Sequence, residues 1–340
     1  MTHRLNLIAG VVVPLFLAAS GAAAQALSAA AKPAPAPAPA TATETPSFRT
    51  PDGHPDLQGY WTNATVTPLE RPKELGTKAF FTPEEAAAYE KRQLAVPEPT
   101  GKGTYADVHY NMAQFGLEKS QGKLAENIRT SLITAPPDGR LPAMLPEAVK
   151  RNAERVAANK GHEFDGPENR GLAEQCIIWP NEGPPMMPVG YNSNLQIVQG
   201  PGYVAILQEM IHDVRMIPTD GRPHIASNIR QWMGDSTGHW EGDTLVVDTT
   251  NFTDRTAFRG SSGNLHVVER FRRVDATTVD YSFTVSDPDT WAQPWSADIP
   301  MTAIQGPIYE YACSEGNYGM ANNLSGARAE ERKKAQEEGK

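Results

Sequence analysis

Two runs of ionisable residues hold most of the chemistry on offer in this sequence. The first is Gln208-Glu209-Met210-Ile211-His212-Asp213-Val214-Arg215, the second His266-Val267-Val268-Glu269-Arg270. Between them lie Asp220-Gly221-Arg222-Pro223-His224 and Gly238-His239-Trp240-Glu241-Gly242-Asp243. Four of the eight histidines and four of the six tryptophans fall between His212 and Trp295. That concentration predicts a polar pocket lined with aromatic rings.

His212 is the first candidate for moving a proton, because imidazole titrates near neutral pH. The competing reading is a core histidine satisfied by one hydrogen bond. Adjacent strand residues point to opposite faces, so His212 and Asp213 cannot form a dyad. Arg215, Glu269 and Arg270 are candidates for a charged interior. An inward arginine suits a carboxylate, phenolate or enolate, and the competing reading is a structural salt bridge. Only one of Glu269 and Arg270 can face inward, and Arg270 shares its face with His266. His224 and His239 are read in loops at strand ends, where binding residues commonly sit. Trp240, Trp291, Trp295 and Tyr311, with Tyr309 and Tyr318 near the last two tryptophans, offer rings on which a substrate could stack. Aromatics beside Pro288 and Pro294 equally serve to close a barrel end. Glu310 and Glu315 are carboxylates near them.

A zinc site built from His212, His224, His239 and His266 is conceivable, but their spacing matches neither H-x-x-x-H nor H-E-x-x-H, and no metal is assigned. No G-x-G-x-x-G follows a strand and no G-x-x-x-x-G-K-[ST] occurs, so no nucleotide cofactor is indicated. No C-x-x-C-H haem site is present. No G-x-S-x-G elbow is read, so an α/β-hydrolase is not expected.

The elements that must position these groups are short strands. Alternation marks strands at 195–199 and 203–207, flanking Gly200-Pro201-Gly202, then at 209–217, 244–250, 266–274 and 279–285. On a continuous strand over 209–217, His212 shares a face with Gln208, Met210, Val214 and Met216. The opposite face then carries Glu209, Ile211, Asp213, Arg215 and Ile217. Short strands joined by brief turns, without intervening helices, predict an antiparallel meander, closed or nearly closed to protect its edges. The fold expected is mainly β: an antiparallel lipocalin-like barrel over 176–320, an irregular and helical annex over 48–175, and a charged C-terminal helix over 321–340. Within the annex, Thr82-Pro83-Glu84-Glu85 opens a helix reaching Leu94, and Pro146-Glu147-Ala148 opens another reaching about Asn159.

The N-terminus gives the compartment. Arg4, an apolar run over 8–19 and Ala22-Ala23-Ala24 read as a cleaved signal peptide over 1–24. The apolar run is too short to cross a bilayer, which takes roughly 20 residues. An Ala/Pro-rich linker follows over 25–47. Cys176 and Cys313 are an even pair in a chain bound for an oxidising compartment, which favours a disulfide over two separate thiols. The net charge of −9 and the absence of a basic stripe argue against nucleic acid as a partner. The expected partner is a small molecule, with no stable membrane insertion and a periplasmic or secreted location.

Gly59-Tyr60-Trp61 and Gly238-His239-Trp240 resemble the G-x-W that opens lipocalin-like barrels. The strings Glu-Met-Ile-His-Asp-Val-Arg (209–215), Trp-Met-Gly-Asp-Ser (232–236), Trp-Glu-Gly-Asp-Thr-Leu-Val-Val (240–247) and Tyr-Glu-Tyr-Ala-Cys (309–313) resemble an uncharacterised family of secreted bacterial proteins. That resemblance implies a shared fold and a shared site, and supplies no activity. The residues themselves point to a cofactor-independent acid–base enzyme, a lyase, hydratase or isomerase acting on a small ring-bearing molecule. The alternatives are a non-catalytic small-molecule binding protein of the same fold and a metal-dependent hydrolase.

Overall fold

The computed structural model describes residues 48–95, 124, 127–179, 182–189 and 192–339. The expected signal peptide and linker lie outside them. Ten strands run in chain order: β1 Gly59–Thr62, β2 Ile133–Ala135, β3 Asn194–Gly200, β4 Tyr203–Gln208, β5 Val214–Pro218, β6 Asp235–Glu241, β7 Thr244–Thr250, β8 His266–Arg273, β9 Thr278–Ser286 and β10 Trp295–Ala303. They form one antiparallel sheet in the order β5-β4-β3-β1-β10-β9-β8-β7-β6, with β2 added alongside β10. The two end strands, β5 and β6, come side by side without ladder hydrogen bonds, so the sheet curls into a nearly closed barrel. Gly238 allows this approach: a Cβ there would stand 3.0 Å from Ile217 Cγ2. No described helix is long and apolar enough to cross a membrane.

Alternation decides which side chains fill the barrel. On β7 the inward set is Leu245, Val247 and Thr249; on β9 it is Val279, Tyr281, Phe283 and Val285, all buried. Their rings interlock, with centroids 4.9 Å apart for Phe271–Tyr281, 5.6 Å for Phe283–Trp295 and 6.0 Å for Trp291–Trp295. Burying each such ring contributes about 1.5–3 kcal/mol, so the centre of the barrel is its main source of stability.

Three expectations need correction. The region over 48–175 is not only irregular and helical, since it supplies β1 and β2. Gly59-Tyr60-Trp61 opens β1, between β3 and β10, with Trp61 buried and its indole N–H donating to Leu57 O at 3.0 Å. Next, β10 follows the strand read as last; Trp295, Ala297, Ile299 and Met301 on it are fully buried. Finally, the single strand over 209–217 does not exist. The chain turns after Gln208, with Ile211 and His212 in left-handed backbone at φ 60° and 66°, and restarts at Val214. The turn resets the alternation, so Arg215 and Ile217 point inward while Val214 and Met216 are exposed.

Helix α1, Pro83–Leu94, begins with a reciprocal Thr82–Glu85 capping box. Helix α2, Pro146–Asn159, is fastened to the 287–291 turn by Arg151, which donates to Thr290 Oγ1 at 2.8 Å and Asp289 O at 3.1 Å. Helix α3, Tyr318–Glu338, buries no residue. Cys176 and Cys313 are bonded, with Cα atoms 5.7 Å apart.

Candidate functional site

Inside the barrel, β5 and β8 bring Arg215 and Glu269 together. The guanidinium donates to both carboxylate oxygens, at 3.1 and 2.5 Å, with the two side chains 3% and 0% exposed. Tyr281 donates to Glu269 Oε1 at 2.8 Å and accepts the Met186 N–H at 2.8 Å. Burial opposes the charge on Arg215, but the Glu269 carboxylate outweighs it and holds the guanidinium more firmly protonated than usual. Burial and then the same carboxylate push the Tyr281 hydroxyl well above its ordinary value. Arg215 is therefore already neutralised, and this network reads as a buried strut.

Chemistry is better placed where the barrel fails to close. A cleft of about 580 Å³ runs along the β5/β6 seam, lined among others by Asp213, Arg215, Arg230, Trp232, Asp235 and Ser236. Asp235 opens β6 and sits on the outer face, because inward Ser236, Gly238 and Trp240 pair with inward Thr249, Val247 and Leu245. The loop between β5 and β6 folds back so that Asp235 Oδ2 accepts the Ile225 N–H at 3.1 Å and lies 2.8 Å from His224 Nδ1. Asn251, at φ 60°, pins the same loop by donating to Ile225 O at 3.1 Å.

From Asp235 a chain of alternating carboxylates and imidazoles crosses the outer face. His224 Nε2 is 3.0 Å from Asp248 Oδ1, and Asp248 Oδ2 is 2.7 Å from His266 Nε2. A carboxylate oxygen thus stands at each ring nitrogen of His224. The hydrogen bond that the His266 ring donates to Asp248 raises the imidazole, against a smaller effect of burial. Burial alone would push Asp248 up, but the contacts from His266 and then His224 hold its carboxyl below the usual value. Asp235 Oδ1 makes no hydrogen bond to any described residue and is the end of the chain available to a ligand.

The remaining sequence candidates are scattered. His212 lies in the β4–β5 turn, its Nδ1 buried without a hydrogen-bond partner. Arg270 points outward, donating to Glu241 Oε2 at 2.8 and 2.7 Å, so it is not an interior cation. His239 is on β6 and not in a loop; it is exposed and bonds Glu241 at 3.1 Å. Trp240 stacks on His54 with centroids 4.8 Å apart. Trp291 and Trp295 belong to the core, so the expected aromatic cluster with Tyr309 and Tyr318 does not form; those two are each 76% exposed. Tyr311 is half-buried. Of the four histidines weighed as zinc ligands, only His224 and His266 meet, through Asp248. Among the described residues no three His, Cys, Asp or Glu side chains are grouped so as to hold a metal ion.

Sequence reasoning passed over Asp235, Asp248, Trp232 and Tyr281. It also passed over a signal: Gly234-Asp235-Ser236-Thr237-Gly238 has the letters G-x-S-x-G. The letters do not make a nucleophile elbow here, because they run into a strand and not a helix. Ser236 faces inward, 2.9 Å from Thr249 Oγ1 and accepting from Arg215 at 3.4 Å, on the opposite face from His224 and its carboxylates. Comparison of the chain with family models, curated proteins and solved structures returned no match.

Proposed function

We propose that this chain is an exported acid–base enzyme, a lyase, hydratase or isomerase, that binds a small ring-bearing molecule in the β5/β6 cleft. Asp235 takes a proton from one substrate atom and returns it to another, or to a departing oxygen. His224 holds the Asp235 carboxylate in place, and Asp248 and His266 orient His224 from behind. Arg230, which spends one terminal nitrogen on Gly263 O and Phe252 O, has further N–H groups for an anion forming in the cleft. Trp232 offers a ring face, its other side lying under the Arg255 guanidinium at 5.1 Å.

One observation carries this reading: a carboxylate on the cleft wall is tied at 2.8 Å to an imidazole whose second nitrogen meets another carboxylate. Catalytic bases are built in this way, with a titratable group positioned by a second one. The disulfide is compatible with export, and the nearly closed barrel with lipocalin-like kinship; both remain part of the proposal.

The test is proton exchange. A panel of cyclic ketones, lactones and hydroxylated aromatic acids is incubated with the protein in deuterated buffer and read by mass spectrometry. Exchange above the buffer blank for at least one compound, lost in Asp235→Asn, is expected. No exchange across the panel, or exchange unchanged in a folded Asp235→Asn variant, contradicts the reading.

A further inference from the structure

A second hollow, of about 560 Å³, lies on the other side of the segment that borders the cleft: Ile177 lines the cleft, and Ile178 and Trp179 line the hollow. Its walls are largely apolar, with Leu172, Met187 and Phe258 beside Ile178 and Trp179. The size suits a molecule of one or two fused rings, since small-ligand pockets run from about 300 to 1,000 Å³. Phe258 forms a rigid floor, stacked on core Trp295 with centroids 6.3 Å apart.

Two arginines, Arg255 and Arg259, also line the hollow. Several arginines on or beside the barrel pair with acids: Arg215 with Glu269, Arg222 with Asp220, Arg270 with Glu241 and Arg272 with Asp280. Neither Arg255 nor Arg259 is paired with a carboxylate. Arg255 lies over Trp232, and the Arg259 guanidinium makes no hydrogen bond to any described residue. The nearby acid, Glu70, spends Oε1 on the Leu141 N–H at 2.9 Å. The backbone that presents them is strained: Ala257 and Arg259 are left-handed at φ 42° and 49°, a conformation L residues adopt at a cost. Across the hollow, the 177–179 segment is anchored by Cys176, also left-handed at φ 57° and bonded to Cys313.

We infer that this hollow is a binding site for an amphipathic aromatic anion, with the ring between Trp179 and Phe258 and a carboxylate or sulfonate on Arg259 and Arg255. Apolar walls alone would take a neutral ring equally well. Two cations without acids, on a chain whose net charge is −9, select for the anion. The site shares no residue with the proton-transfer chain, so each stands or falls by itself.

The experiment uses the intact purified protein and three probes: naphthalene-2-carboxylate, the neutral naphthalene-2-methanol, and decanoate. Binding is followed by tryptophan fluorescence and calorimetry. Saturable one-to-one binding of the carboxylate is expected, with the neutral alcohol at least about tenfold weaker, a difference of about 1.4 kcal/mol. Arg259→Gln should weaken the carboxylate by about tenfold and leave the alcohol unchanged. Arg255→Gln provides a second variant should Arg259→Gln not fold. Equal affinity for acid and alcohol, no effect of either variant on the acid, or no saturable binding overturns the inference. Decanoate binding as tightly as the naphthoate overturns the assignment to a ring.

Discussion

Glu182 gives a prediction with a definite size and sign. Its carboxyl is fully buried; Oε1 accepts the Trp179 N–H at 2.9 Å and Oε2 has no hydrogen-bond partner. Burial, and secondarily repulsion from Asp213, raise it from 4.5 to about 8 despite the Trp179 hydrogen bond. The folded chain therefore keeps a proton that the unfolded chain releases. The stability this confers is complete below the unfolded value and is lost as pH rises through the folded value. The whole shift corresponds to roughly 5 kcal/mol, and the part between about pH 5 and about pH 8.5 to roughly 4 kcal/mol. Glu182→Gln removes the titration while keeping the shape and the acceptor for Trp179. Urea unfolding of both proteins at the two pH values measures the difference. The variant should gain about 4 kcal/mol relative to the original chain on going from about pH 5 to about pH 8.5. Any fixed cost of burying the amide is the same at both pH values and cancels. A stability difference that does not change with pH would refute the reasoning.

Other outcomes follow from the same structure. Reducing Cys176–Cys313, or replacing both by Ser, should cost about 5 kcal/mol by the loop-entropy argument for a bridge spanning 137 residues, read as a fall in the urea midpoint. Glu269→Gln should cost about 3–5 kcal/mol by leaving Arg215 buried without its counter-charge, and pairing Arg215→Met with Glu269→Met should recover most of that in the same assay. Asp248→Asn should lower the His266 titration midpoint towards 6.5, followed by imidazole NMR. In the original chain, the stability from that contact is present below 6.5 and is lost as pH rises through the raised folded value.

The barrel was legible where strands alternate without interruption, as in β7, β8 and β9, because a half-buried strand shows its two faces in a period of two. β10 carries the same period in Trp295, Ala297, Ile299 and Met301, but a proline inside such a run, here Pro300, argues against a strand. β6 was hidden by Gly238 and by the polar outward row of Asp235, Thr237, His239 and Glu241. The β4–β5 turn was missed because Ile211 and His212 adopt left-handed backbone that neither residue type signals. That error put Arg215 on the face opposite Gln208, whereas both are buried. The site was less legible than the fold. His224, Asp235, Asp248 and His266 meet only through the β6–β7–β8 register and a loop that folds back on its strand, and spacing along the chain encodes neither. Residue type did mark His224 and His266, but nothing in the sequence singles out the carboxylates that join them.

The most direct measurement is the exchange rate, on whichever panel compound exchanges, for Asp235→Asn, His224→Gln and His212→Ala beside the original chain. If Asp235 moves the proton and His224 holds it, the first two variants should lose at least about 100-fold, the scale of general acid–base catalysis, and His212→Ala should stay within a few-fold. Loss of exchange in His212→Ala with Asp235→Asn still active would contradict this and put the proton transfer at the β4–β5 turn.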